Sequence, residues 1–117
     1  MTSADRLRIP LLHLHKALIE AERREHEKTL GRLSDRDFLE ALIRDPAFGW
    51  LAPLTGLIAR LDEMAEEGAD ALDPRPIREL LSAGESDFQR RYAGYLQSSP
   101  EVLVAHGEVL RALKRPA

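Results

Sequence analysis

The longest stretch of helical periodicity in the sequence covers residues 10–30, and its character changes half-way along. The first half has leucines along one side, at the spacing of an amphipathic helix. Three polar residues, two of them in the second half, lie on that same side, within about 60° of Leu11 at about 100° per residue. The leucines are Leu11, Leu14 and Leu18, and the polar residues are His15, Glu22 and His26. The helix therefore either extends beyond the hydrophobic core or places a polar site inside that core.

The remaining segments also repeat at helical spacing, and none shows the strict alternation of a strand. Pro10 suits the first position of a helix and Gly31 suits the position just past its end. We therefore predict an N-terminal arm at 1–9 and a single helical-bundle domain at 10–115. The predicted fold is all-α, a compact bundle of about five or six helices, four of them longer.

Helix-breaking and helix-capping residues between the later segments support this division into helices. Asp45 precedes Pro46 and should break a helix there, because a residue before proline is disfavoured in the α region. Pro53 either opens the following helix or kinks it. Ser86 with Gln89 forms a capping-box pattern. The predicted core consists of Leu11, Leu14, Leu18, Phe38, Leu42, Trp50, Leu54, Leu57, Leu61, Phe88, Tyr92, Val102, Val109 and Leu113.

Composition narrows the classes of function. The 117 residues are 44% hydrophobic and 32% charged, and no apolar run approaches the roughly 20 residues that span a bilayer. The absence of cysteine and of a secretory signal fits the cytoplasm. A net charge of −3 lacks the basic face of a nucleic-acid binder. We expect a cytoplasmic protein with neither a membrane nor a nucleic acid as partner.

Glu22 and His26 are the candidate metal ligands. Residues four apart on a helix point the same way, about 6 Å apart along the axis, which suits two ligands of one ion. The Glu-x-x-His pattern of di-iron bundles is absent. The pair could equally be solvated helix surface or make structural hydrogen bonds. We favour solvated surface and expect no cofactor apart from a metal ion, should this pair bind one.

Trp50, His106 and Tyr92 are the candidate ligand-binding residues. Trp50 is adjacent to Gly49, and small residues beside a large ring can leave an apolar groove. His106 falls within the apolar stripe of the last helix, where its nitrogens would need partners. Both residues are also well explained as core.

No catalytic motif is present in the sequence: there is no nucleophile elbow, phosphate-binding glycine loop or His-Glu-x-x-His. The last helix carries apolar residues beyond one face, with Leu103 and Val104 off the core line. These observations favour a non-catalytic module for protein–protein interaction or self-association, acting on a protein partner or forming a homo-oligomer. The alternative is a small-ligand or metal-binding bundle that uses Trp50 with His106, or Glu22 with His26.

Two segments carry a resemblance to other proteins. His15–Arg24 and Arg44–Asp62, the latter with Arg-Asp-Pro-Ala-Phe-Gly-Trp-Leu-Ala-Pro-Leu, resemble small bacterial helical proteins of no assigned activity. The resemblance covers less than half of the chain. It implies a helical fold and assigns no site.

Overall fold

The computed structural model describes residues 3–68 and 72–114, and within these ranges the protein contains helices and no strands. The described ranges form six α-helices and one 3₁₀ helix. They are α1 (Ser3–Leu30), α2 (Asp35–Arg44), the 3₁₀ helix (Pro46–Leu51), α3 (Ala52–Glu66), α4 (Arg75–Leu80), α5 (Asp87–Ser98) and α6 (Pro100–Lys114). The four longest are α1, α3, α5 and α6. The predicted all-α bundle is confirmed.

The start of the first helix was predicted wrongly. Residues 3–9 form no separate arm, because α1 begins at Ser3 and continues through Pro10. Ala4 and Leu7 are buried and extend the leucine line of α1 by two turns, so packing stabilises helix on both sides of the proline. Residues 1 and 2 of the predicted arm and residue 115 of the predicted domain lie outside the described residues.

The predicted helix boundaries elsewhere agree with the structure. Gly31 adopts φ 78° just past α1, a left-handed conformation that glycine accepts without strain. Asp45 ends α2, and its side chain accepts a hydrogen bond from the backbone N–H of Ala47. Pro53 lies in the first turn of α3 and therefore opens that helix rather than kinking it. The capping box of Ser86 and Gln89 is complete.

α1 is the central element of the fold. It packs mainly against α6 and α3, while α5 packs against α6. Its 28 residues give a length of about 42 Å, which accounts for the 45 Å long axis of the molecule. Every predicted core residue is buried except Leu42 and Leu57, which are half-buried.

α3 faces the core along a slightly different line from the one predicted. The predicted core includes Leu57, whereas in the structure Ile58 is buried and Leu57 is half-buried. On the helix, Leu54, Ile58 and Leu61 lie within about 60° of one another, and Leu57 lies on their flank toward α4. Because α4 is only six residues long, it covers that flank incompletely. A cavity next to Leu57 results.

Candidate interaction surface and buried polar centre

Glu22 lies in the core, with only 6% of its surface exposed. Its Oε1 accepts hydrogen bonds from Trp50 Nε1 at 3.1 Å and from the Tyr95 hydroxyl at 2.8 Å. A buried carboxylate needs such donors, since desolvation without them is costly. The two donors come from the 3₁₀ helix and α5. Glu22 therefore ties three elements together.

His26 completes this polar centre, which we define as Glu22, His26, Trp50 and Tyr95. The Nε2 of His26 is 3.4 Å from the second carboxylate oxygen of Glu22. Its ring stacks on Phe48 with centroids 4.6 Å apart. Burial and the Glu22 carboxylate both raise the pKa of Tyr95, burial having the larger effect. The tyrosine hydroxyl is thus held as a donor.

The preference for Glu22 as solvated surface was wrong, and the hydrogen-bonding alternative describes its contacts. The pair does converge with polar groups from other elements, but these are an indole N–H and a tyrosine hydroxyl that both donate to Glu22. Across the described ranges, no set of three or more His, Cys, Asp or Glu residues is arranged to hold a metal ion. The sequence contained one hint, because a buried tryptophan or tyrosine needs a hydrogen-bond partner.

The candidate ligand-binding residues lie in one row of packed rings. Trp50 contacts Phe88 at a centroid distance of 5.5 Å, Phe88 stacks on Tyr92 at 5.4 Å, and Tyr92 contacts His106 at 5.5 Å. Tyr95 stacks on the other side of Trp50 at 6.0 Å. At these distances adjacent rings are in contact, and no ligand fits between them. The row makes Trp50, Tyr92 and His106 part of one core.

Tyr92 and His106 form a second polar contact inside this row. The tyrosine hydroxyl lies 2.6 Å from Nδ1 of the imidazole. Burial raises the pKa of Tyr92 and lowers the pKa of His106. Both shifts favour the neutral forms, so the hydroxyl and Nδ1 share a hydrogen bond between two uncharged groups. The contact joins α5 to α6.

α2 is the helix that presents the most exposed apolar side chain. Leu39 is 56% exposed and Ile43 is 75% exposed. They are four residues apart and point the same way, and together we call them the α2 ridge. The opposite side of α2 holds the helix in place through Phe38, which meets Phe48 edge to face at 5.7 Å. The sequence had indicated only that these residues belong to a helix.

The loop before α2 is fixed by charged side chains of α1. Arg23 donates to the Leu33 carbonyl at 2.6 Å and to Asp35 at 3.0 Å, and its guanidinium lies over the Phe38 ring. Glu27 accepts from the Leu33 N–H at 2.8 Å. These contacts hold α2 in one orientation, so the ridge is presented on a positioned helix.

An apolar groove lies beside the ridge, and Leu42, the residue before Ile43 on α2, is part of its lining. We call it the α2 groove. It has a volume of about 380 Å³, and its lining is His15, Ile19, Leu42, Phe48, Gly49, Leu51, Ala52 and Thr55. The one polar contact in it is already satisfied, because Thr55 donates to the Leu51 carbonyl and so accepts from His15 Nε2 at 3.0 Å. The remaining lining is apolar.

The apolar surface predicted on α6 is also present but is arranged differently. Leu103 is 54% exposed and Val104 is 62% exposed. Consecutive residues point about 100° apart on a helix, so these two form no common ridge. The groove between α1 and α6 next to Val104 has a charged rim, in which His13 pairs with Glu108 at 3.1 Å.

Comparisons with protein-family models, curated proteins and solved structures give no match for this chain. None of the described helices is both long enough and apolar enough to cross a membrane.

Proposed function

We propose that this protein is a non-catalytic interaction module that self-associates through the α2 ridge and the α2 groove. The observation that carries the proposal is their position side by side. An apolar ridge with side chains 56% and 75% exposed lies next to a groove that is apolar on most of its lining. Exposed apolar patches of this kind mark interaction surfaces.

A second copy of the chain is the occupant that this arrangement favours. A two-fold interface uses the same patch on both subunits, so the patch must contain both a projection and a recess that receives it. The α2 ridge supplies the projection and the α2 groove supplies the recess. Full burial of an isoleucine or leucine side chain contributes about 1.5–3 kcal/mol, and a two-fold axis counts each ridge residue twice.

Composition is consistent with the remainder of the proposal. The net charge of −3 and the lack of a basic face argue against a nucleic-acid partner. A chain without cysteine suits the reducing cytoplasm, and we propose this compartment. The ring-to-ring packing of Trp50, Tyr92 and His106 supports a structural role for these residues rather than a catalytic one.

Sedimentation analysis from low to high micromolar concentration tests the proposal. Wild type should show a concentration-dependent dimer, and Ile43→Glu should remain a monomer because a charge in an apolar interface is not solvated. Leu103→Glu on α6 is the matched control, since it makes the same kind of substitution at an exposed leucine away from the ridge. It should dimerise like wild type.

Two results would contradict self-association through α2. One is a wild-type chain that stays monomeric at high micromolar concentration. The other is a dimer that Leu103→Glu disrupts and Ile43→Glu leaves intact, which would place the interface on α6. Circular dichroism and melting of each variant show whether it remains folded.

A further inference from the structure

A separate cavity lies between α3 and α4, on the flank that the short α4 leaves partly open. Its volume is about 230 Å³. Leu61 and Ile77 form buried parts of its wall, whereas Leu57 and Met64 remain half-buried. We call this space the α3–α4 cavity.

Two charged residues line this cavity, and they differ in whether a described residue of opposite charge pairs with them. Asp73 is bound by Arg75, whose Nε and Nη2 donate to its carboxylate at distances of 3.0–3.1 Å. Arg75 lowers the pKa of Asp73 through these hydrogen bonds, so the carboxylate stays ionised. The Arg75 guanidinium balances its negative charge. Arg60 also lines the cavity. No carboxylate within residues 3–68 and 72–114 pairs with its guanidinium.

We infer that the α3–α4 cavity binds a small amphipathic carboxylate, with its apolar part among Leu57, Leu61, Met64 and Ile77 and its carboxylate on Arg60. The volume corresponds to about eight non-hydrogen atoms at roughly 30 Å³ each. A six-carbon fatty acid has this size. This inference is independent of self-association, because the α2 ridge and groove share no lining residue with the cavity.

The charge of the ligand follows from the pairing. A cationic amphiphile would have to compete with Arg75 for the Asp73 carboxylate, which is already held at two oxygens. A neutral amphiphile would offer the Arg60 guanidinium an oxygen acceptor that carries no charge. Only an anion adds the attraction of opposite charges to its hydrogen bond with Arg60.

Methyl NMR of Met64 is the direct test. The chain has two methionines, Met1 and Met64, so a spectrum of ¹³C-methyl-labelled methionine contains one signal from the cavity wall. Sodium hexanoate should shift the Met64 signal saturably. Arg60→Gln should weaken hexanoate binding about tenfold, since a hydrogen bond to a charged group is lost. Arg90→Gln, an exposed arginine on α5, is the matched control and should bind like wild type.

Hexanol and hexylamine, at the same ionic strength, separate the contributions. The affinity of hexanol should be low and about the same for wild type and Arg60→Gln. The affinity of hexylamine for wild type should be no higher than that of hexanol. A Met64 signal that hexanoate leaves unmoved would overturn the inference. So would hexanoate binding that matches hexanol binding and is unchanged by Arg60→Gln, because the site would then be an apolar cleft without carboxylate recognition.

Discussion

Glu22 and Ile43 occupy environments opposite to those their side chains usually prefer. The glutamate is 6% exposed and the isoleucine is 75% exposed. Glu22 is buried because Trp50 and Tyr95 bring two donors to one of its carboxylate oxygens. Ile43 is exposed because α2 is anchored to the body through Phe38 on its other side.

The comparison shows that burial in this protein depends on what a neighbouring element provides. A charge can enter the core where other elements supply hydrogen-bond donors, because the lost hydration is then replaced. An apolar side chain can stay in solvent where no element lies across from it, and on α2 we propose that a second copy of the chain covers it. The following predictions test the two halves of this contrast.

Glu22→Ala should give the largest loss of stability. It leaves the Trp50 N–H and the Tyr95 hydroxyl without their acceptor, and we expect a cost of about 2–4 kcal/mol in the free energy of unfolding. Urea denaturation measures it. Glu20→Ala, at an exposed position two residues earlier, is the control and should stay within about 0.5 kcal/mol of wild type. Equal effects at both positions would show that Glu22 is not the buried acceptor.

Removing each tyrosine hydroxyl in turn should show that the contact with the Glu22 carboxylate stabilises the fold more than the contact with neutral His106. Tyr95→Phe deletes a donor to the Glu22 carboxylate and should cost about 1.5–3 kcal/mol. Tyr92→Phe removes the hydrogen bond to the neutral His106 and should cost about 0.5–1.5 kcal/mol. Urea denaturation of both variants gives the comparison. The reverse order would mean that the polar centre is less tightly coupled than its geometry indicates.

The neutral contact should respond to acid. Burial lowers the pKa of His106 below its unfolded value of 6.5, so the unfolded chain takes up the proton first. The stability from this group is present above about pH 6.5 and is lost as the pH falls below it. As the pH is lowered from neutral to mildly acidic, the melting temperature should fall less steeply for His106→Gln than for wild type. The two slopes should differ by the effect of at most one proton bound on unfolding. Parallel curves would refute this role.

The smallest effect on the fold is expected at the ridge. Ile43→Ser should change the stability of the monomer by no more than about 0.5 kcal/mol, because the side chain is mostly exposed. Thermal melting at low concentration, where dimer is absent, measures this. A large loss would mean that Ile43 contributes to the core, and the ridge would then have no free surface to offer.

The sequence alone predicted the helical fold and most of the core. Local rules were sufficient for this. The leucine line of α1, the cap at Ser86 and the glycine at 31 each depend on residues close in the chain. The same rules failed at Pro10, where a local helix-start signal was overridden by the packing of Ala4 and Leu7.

The tertiary structure decided the environment of the polar and surface residues. Glu22 and Tyr95 are 73 positions apart, and no local pattern relates a carboxylate in one helix to a hydroxyl in another. The exposure of Leu39 and Ile43 likewise depends on which side of α2 meets the body, and both sides are apolar. Periodicity determines which residues share a face, because that depends on backbone geometry alone. Which face is covered, and whether a buried charge finds its donors, depends on elements distant in sequence that only folding brings together.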